Sequence, residues 1–520
     1  MTQQKSEDRV LPEGGVMPAE RAGSSPGGQG KAVPVEETAV QLSLPVATAE
    51  NPQGATRRRT QDRPVDLLAG APKAIVNAET AVPATMEEVA KRLTSALLKV
   101  ASNKGAPGPD GQTIEALREQ WTAVLPRLQA DLLAGTYRPG AIRRAYIPKA
   151  GGGQRGLGIP DVVDRVVCEA VRQVLEPLWE PTFHPSSHGF RPGRSCHTAI
   201  AEAGQHLEEG YEWVVDLDLE KFFDLVCRQR LTAKLAERVS DRRLLVLIGR
   251  MLKAKVVLPD GVVIASERGV PQGSPLSPLL SNVVLDELDQ ELARRGHRFT
   301  RYADDCNVYV RSERAGQRVM TSLTGSIEGR MRLKVNQDKS AVARPEERHF
   351  LGFRLRLDPR TGAVEVLLSE RTKRNAMERV RQLTPRNWGG SLASCIARTN
   401  AWLRGWHQFF GIASAAEMQM MRKLDAHVRR RLRAIILRHW KRKRTIARCL
   451  VALGVPRRSA WRQVYQGRRS WWALSHIPAV DRGLRNAYFA ERGLASLAEL
   501  HDRAHQHIVA PDPPQLALWG

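Results

Sequence analysis

The sequence predicts a mixed α/β protein that gives way, near residue 370, to a basic helical region. Three patterns carry the prediction. Several segments between residues 85 and 257 place apolar residues at mixed three and four spacing, as helices do. Two short runs, WVVDLDLEKFFD (213–224) and FTRYADDCNVYV (299–310), alternate strand-forming residues with acids. From 371 to about 480, Arg and Trp dominate with helical periodicity. The 520 residues suggest three or four domains, and 42% hydrophobic content is enough for substantial cores, which rules out general disorder. Lys+Arg number 80 against 55 Asp+Glu, a formal charge of +25 that favours a polyanionic partner. No uninterrupted apolar run reaches 18 residues, and the start MTQQKSEDRV has neither a basic cluster nor an apolar run. Neither a membrane span nor a secretory signal is expected, and the cytoplasm is the expected compartment. Cys168, Cys196, Cys227, Cys306, Cys395 and Cys449 never form a CxxC pair, so unpaired thiols are expected rather than a disulfide or zinc scaffold.

Residues 1–80 are rich in Pro, Gly, Ala, Glu and Thr, contain no aromatic residue, and read as a flexible tail with a solvated Arg57-Arg58-Arg59 run. Order is predicted from Thr85, where Thr-Met-Glu-Glu precedes Val89, Leu93, Leu97 and Leu98 in the manner of a capped amphipathic helix. The loop NKGAPGPDG (103–111) ends it, and a helix over 113–134 leads to a strand at Arg143–Pro148. Gly151-Gly152-Gly153 is not a phosphate loop, because no GK[ST] follows. A turn between two strands, flanked by Lys149 and Arg155, explains it better. Helices are expected at 161–180, at 195–209 after the polar loop HPSSHGFRPGRS, and over most of 228–257, with a buried strand at 213–219.

Two sites concentrate carboxylates. Asp304 and Asp305 sit between short strand-forming runs, as at the tip of a β-hairpin, although Asp is also an ordinary turn residue. Asp216 and Asp218 share one side of an alternating strand while Val and Leu face the other. Carboxylates at apolar strand ends are costly unless a cation or donor offsets them. A pair of divalent metals bridged by acids from both strands would do so, and would organise an in-line phosphoryl displacement.

With these segments in view, the sequence resembles the reverse transcriptase/maturase proteins encoded by bacterial group II introns. Tyr302-Ala303-Asp304-Asp305 resembles the YADD box of that family, and Asp218 matches the acid of its first palm motif. NKGAPGPDG (103–111), RGLGIPDVVDRVV (155–167), EPTFHPSSHGFRPGRSCHTAI (180–200), GVPQGSPLSPLLSNVVLDELD (269–289), LKVNQDKS (333–340) and FLGF (350–353) follow in the family's order. The resemblance implies a right-hand polymerase, with mixed α/β fingers, an antiparallel palm sheet and an α-helical thumb/maturase domain. It implies a division into a mostly disordered extension (1–84), fingers (85–212), palm (213–368, with finger/palm helices at 225–265), thumb/maturase domain (369–455) and a short basic DNA-binding region and tail (456–520).

It also implies roles. Asp218, Asp304 and Asp305 would be catalytic and, with Leu219, would hold two Mg²⁺ ions, for which Mn²⁺ could substitute. Phe223 would pack under the nucleotide sugar and exclude a 2′-hydroxyl. Gln272 and Gly273 would line the nucleotide and template pocket, Lys149 and Arg155 would contact the triphosphate, and Lys339 would lie near the pyrophosphate. Phe350 to Phe353 would form a turn that steadies the primer end. Some positions depart from the family pattern: Gly156 within RGLGIP, Cys227-Arg228 after FFD, His188 before GFRPG and Cys306 after the YADD box. None removes an implied metal ligand.

In the basic region, residues 422–444 carry eleven Lys/Arg against the single acid Asp425, with Leu424, Val428, Leu432, Ile435, Ile436 and Trp440 on an apolar face. One face can dock on a neighbouring helix while the other meets phosphates. Trp402, Trp406, Phe409 and Phe410 read as packing residues. No cysteine follows Cys449 and 63 residues follow Arg457, so the paired-cysteine HNH endonuclease module of some family members is not expected. The expected activity is that of an RNA-directed DNA polymerase and intron-splicing cofactor in splicing and retrohoming. Its partners would be the group II intron RNA, target DNA and dNTPs, without a membrane, in a monomer or homodimer. The alternatives are a domesticated reverse transcriptase in phage defence, spacer acquisition or repair, and a maturase that has lost polymerase activity.

Overall fold

A computed structural model describes residues 83–148, 153–265, 268–467 and 470–509. The predicted N-terminal tail, Lys149, Gly151 and Gly152 lie outside the described residues. The first described helix starts at the predicted cap: the Thr85 hydroxyl accepts the Glu88 N–H at 3.4 Å, and helix Met86–Ser102 buries Val89, Leu93 and Leu97. Leu98 falls off that face and is 61% exposed. The NKGAPGPDG loop is tied down, because Arg165 and Arg143 each donate to it, at 2.7 Å to the carbonyls of Ala106 and Pro107 respectively. Helix Val162–Trp179 packs beneath helix Met86–Ser102 in one continuous core.

Ten strands occur among the described residues: β1 (Ile142–Pro148), β2 (Gln154–Pro160), β3 (Trp213–Leu217), β4 (Val256–Val257), β5 (Val263–Ile264), β6 (Arg298–Tyr302), β7 (Asp305–Val310), β8 (Ala341–Ala343), β9 (Phe353–Leu357) and β10 (Val364–Leu368). The order β2-β1-β4-β5 forms a fingers sheet in which β1 pairs antiparallel with β2 and parallel with β4. Residues 256–257, expected at the end of a helical stretch, are this strand, because the two helices before it stop at Ala236 and Leu252. The palm sheet runs β6-β7-β3-β8 and is antiparallel throughout. β9 and β10 form a separate hairpin.

The palm strands have two different faces. Val215 and Leu217 on β3, with Cys306, Val308 and Val310 on β7, enter the core shared with the fingers helices. Val214 and Tyr309, one residue out of phase, enter a second core with the C-terminal helices. Along this second face the side chains change from apolar to acidic, Val214 then Asp216 on β3 and then Asp218. Register pairs Asp216 with Asn307 and Val214 with Tyr309, so Asp305 shares the face.

The second core runs without a break from Ala199 through the β9–β10 hairpin to Leu497. Phe353 lies 5.3 Å from Phe410 and 6.1 Å from Phe409 between ring centroids, and Trp406 lies 5.0 Å from Phe410, so the aromatics of helix Leu392–Phe410 pack the hairpin against the thumb. Asp425 is buried on helix Met418–Trp440 and caps the helix Leu497–Val509, accepting from Leu497 N–H (2.8 Å), Ala498 N–H (3.1 Å) and the Ser496 hydroxyl (2.7 Å). Asp425→Ala removes the acceptor of all three bonds and is expected to lower unfolding free energy by about 2 kcal/mol. Urea denaturation, with limited proteolysis of the last helix as a second readout, measures the loss.

Candidate active site

Asp304 and Asp305 sit at the tip of the β6–β7 hairpin, where Tyr302 pairs with Asp305 across the two residues Ala303 and Asp304. Ala303 adopts φ +57°, a left-handed conformation that costs a non-glycine residue about 1–3 kcal/mol. Three contacts hold it there. Arg301, fully buried on the opposite face of β6 from the acids, donates from Nη1 to the Ala303 carbonyl at 2.8 Å. Asn282 binds both partners, accepting from Arg301 Nη1 at 3.1 Å and donating to the Gly189 carbonyl at 2.8 Å. Gly189 lies so close to the turn that a Cβ there would collide with the Ala303 backbone nitrogen.

Arg301 is itself fixed by an ion pair with Asp289, Nε to Oδ1 at 2.6 Å and Nη2 to Oδ2 at 2.5 Å, both side chains wholly shielded from solvent. Its Nη2 also donates to Ser187 at 2.7 Å, and its main chain exchanges hydrogen bonds of 2.8 Å with Ser186 and His188. The loop before it is stapled in turn: Arg191 donates to the carbonyls of His184 and Ser187 at 2.7 Å, and His188 lies 2.5 Å from Glu202 and 2.9 Å from Thr198. His188, a departure from the family pattern, is therefore a bonded wall of the turn.

Asp218 follows β3 and is positioned by the LKVNQDKS segment. Its N–H donates to the Ser340 hydroxyl at 3.0 Å, and its carbonyl accepts from Asn336 N–H at 2.8 Å. Lys339 Nζ stands 3.5 Å from its carboxylate. Leu219 bridges to Val335 with its side chain buried, so only its main chain is available to a ligand. Asp216, read with Asp218 as a candidate for metal offset, is partnered by protein instead: Arg348 donates to it from Nη2 at 2.6 Å and Nε at 2.9 Å.

The residues that the resemblance assigns to the nucleotide side meet through backbone contacts. Val270 N–H donates to the Phe223 carbonyl at 2.7 Å, and Gly158 N–H to the Gln272 carbonyl at 2.6 Å, so the GVPQG loop spans from the FFD turn to β2. Gly273 (φ +112°) presses against the Gly158 carbonyl and leaves no room for a side chain. Phe222 takes the core position and Phe223 stays half-buried beside it, ring centroids 5.3 Å apart. Arg155 on β2 is exposed and near enough to Asp304 to offset part of the rise that burial imposes on its carboxyl.

Electrostatics mark the carboxylates as short of positive charge. Asp305 opens to the cleft, yet the protein packed around it, and then the charges of Asp304, Asp216 and Asp218, push its carboxyl up to about 7 against the pull of Lys339. Asp304 is also raised, first by burial and then by Asp218, against Arg155 and Arg301. No group of three or more His, Cys, Asp or Glu among the described residues closes around one point as a protein-built metal cage. The donor set still fits Mg²⁺, a hard cation that binds through one or two carboxylates and completes its shell with water and substrate phosphates.

An antiparallel palm with acids at the end of its central strand and at an adjacent hairpin tip, flanked by a fingers sheet and a helical region, defines a right-hand polymerase. Residues 147–355 match the family described as reverse transcriptase (RNA-dependent DNA polymerase), and 373–451 the group II intron maturase-specific domain. The chain belongs to the group II intron-encoded reverse transcriptase/maturase family, whose catalysis depends on divalent metal. It is 35% identical to protein YkfC of Escherichia coli over 295 residues, 49% of this chain and 77% of YkfC. It is 37% identical to the group II intron-encoded protein LtrA of Lactococcus lactis over 203 residues, 38% of this chain and 33% of LtrA. A solved chain of a partial Cas6-RT-Cas1–Cas2 complex shares 25% identity over 47% of this chain and 42% of that one, with a TM-score of 0.31, which bears on neither fold nor function.

Arg348 lies outside every quoted motif, and Arg301, Asp289 and Asn282 lie within quoted segments with no role assigned to them, although Arg301 leaves a signal: it occupies an inward position of a strand, two residues from buried Phe299. Asp289→Asn strips a fully buried guanidinium of its counter-charge and is expected to cost about 3–5 kcal/mol in urea denaturation. Asp305 gives a pH test. Between its ordinary value near 4 and its folded value of about 7, the folded protein holds a proton that the unfolded chain has released. Stability of the metal-free protein therefore falls as pH rises through that window. In EDTA, Asp305→Asn is expected to melt a few degrees above the parent beyond about pH 7 and level with it below about pH 4, as read by calorimetry.

Proposed function

We propose that this chain copies RNA into DNA and also serves as splicing cofactor for the group II intron RNA that encodes it, returning that RNA to a DNA target. The convergence of Asp218, Asp304 and Asp305 on one palm face, built on the same core as the maturase helices, supports this most directly. Asp218, Asp304 and Asp305, with the main-chain carbonyl of Leu219, would hold two Mg²⁺ ions, or Mn²⁺ in their place. Such ions supply Lewis acidity for activating a primer hydroxyl and offset charge on the leaving pyrophosphate.

The protein's own groups do the positioning. Arg155 and Lys339 approach the acids from β2 and from the LKVNQDKS segment, where they hold the triphosphate, with Lys149 as a third cation. Phe223 presents its half-buried ring to the sugar and excludes a 2′-hydroxyl. Gln272 and Gly273 close the pocket against β2, and the Phe350–Phe353 turn, secured by reciprocal 2.9 Å backbone bonds, steadies the primer end. The helical region grips structured intron RNA, leaving splicing chemistry to the RNA. No helix among the described residues is long and apolar enough to cross a membrane. The protein acts in the cytoplasm, at the nucleoid when engaged with target DNA.

Purified protein with Mg²⁺ and dNTPs is expected to extend a DNA primer on an RNA template. Asp304→Ala/Asp305→Ala abolishes extension while intron excision persists. Loss of excision along with extension in a folded variant contradicts the separation of functions, and no extension by the parent contradicts the polymerase. Phe223→Ala is expected to narrow discrimination between dNTP and rNTP by roughly tenfold or more in single-nucleotide kinetics.

A further inference from the structure

The helical region contains a concentration of positive charge that the polymerase site does not use. Three guanidinium groups surround one indole: Arg430 lies 4.1 Å from the Trp472 ring centroid, Arg386 5.4 Å and Arg431 5.8 Å. His427 meets the same ring edge-on at 6.3 Å. The four residues come from helix Met418–Trp440 and from the segment after helix Glu370–Leu383, with Trp472 on the short helix Trp471–Leu474.

These cations differ in what holds them. Arg431 is structural, since its Nε donates to the Thr384 hydroxyl at 2.9 Å and to the Thr384 carbonyl at 3.0 Å, capping a helix end. Arg381, beside it, is paired with Glu378 at 2.9 Å. No carboxylate forms an ion pair with Arg386 or Arg430 among the described residues. Arg430 Nε and His427 Nε2 are shielded from water without a hydrogen-bond partner. Buried groups left unsatisfied beside unbalanced charge are what a missing anion leaves behind. The His427 imidazole reports the same imbalance, pushed down to about 4 by burial and then by Arg431, Arg381 and Arg430.

We propose that Arg386 and Arg430, braced on Trp472, form a docking site for a backbone phosphate of structured RNA. Stacking on the indole keeps both guanidinium planes ordered before the ligand arrives, which lowers the entropy cost of binding, and a guanidinium matches phosphate oxygens in a bidentate fork. Arg430 already lies 4.1 Å from the indole centroid, where a stacked base would have to sit. The contact reads backbone rather than sequence. This site rests on the reading of the helical region as an RNA-gripping surface, and adds the place and the chemistry of one contact.

The test measures binding of yeast tRNA, as a generic structured RNA, and of duplex DNA of similar length by the full chain across a salt series. Arg386→Gln/Arg430→Gln is the variant, with its thermal midpoint measured beside the parent's. The expected result is weaker tRNA binding and a slope of log K against log salt that falls by about one to two units, with primer extension on an unstructured template unchanged. If the double variant melts below the parent, Arg430→Gln alone is used, with an expected slope change of about one. Unchanged affinity and slope in a folded variant, with a parent that binds tRNA, overturns this site alone. A loss confined to duplex DNA overturns the RNA assignment. A parent that binds no RNA overturns the RNA-gripping reading, and this site falls with it.

Discussion

The acid-bearing turn of the palm depends on a charge pair that faces away from it. Asp304 and Asp305 cluster with Asp218 and Asp216 on one side of the palm sheet, and their mutual repulsion favours a turn that splays. From the other side of β6, Arg301 grips the Ala303 carbonyl while Asp289 holds the guanidinium from behind. A buried ion pair gains little net stability against apolar packing, but its geometry is unforgiving once the surrounding partners are fixed. Here Asn282, Ser187 and the close approach of Gly189 fix them. Left-handed Ala303 is then held by a network that reaches the GFRPG loop, a site where local strain is retained because neighbouring structure over-determines it.

What could be seen in the sequence follows the range of the forces involved. The hairpin acids were legible because a two-residue turn between strand-forming runs is a local pattern, and Val215 and Leu217 faced the opposite layer as the alternation required. The cap at Thr85 was legible for the same reason, whereas Leu98 was assigned to a face that the helix leaves exposed. The partner of Asp216 was not legible: Arg348 lies 132 residues away, and only tertiary folding brings it to β3. Motif order located Gln272 and Gly273, while their mode of contact, a backbone pressed on the backbone of β2, has no signature in residue type.

The basic stripe of residues 422–444 shows the limit of reading charge as a ligand footprint. Arg431 serves the Thr384 carbonyl, Arg433 the Leu484 carbonyl and Asp481, Arg438 the Arg386 carbonyl, and Lys443 the carbonyls of Tyr465 and Gly467. Helical ends leave carbonyls without intrahelical partners, and long cationic side chains complete them. The single acid of the stripe, Asp425, does the converse for the N–H groups of the last helix. Four of the stripe's eleven cations therefore knit the helices together, and the rest, Arg430 among them, is left for a polyanion.

The second core has a consequence for how the protein is made. Its members range from Ala199, before the first palm strand, to Leu497 in the last described helix. A ribosome adding roughly 5–20 residues per second needs on the order of 15–60 s to synthesise the intervening chain. Throughout that interval the palm face carrying Val214 and Tyr309 lacks its cover, while the first core, complete by Val335, can already close. The nascent chain thus passes through a stage with folded fingers and an open palm, and the helical cover closes only once Leu497 has been made.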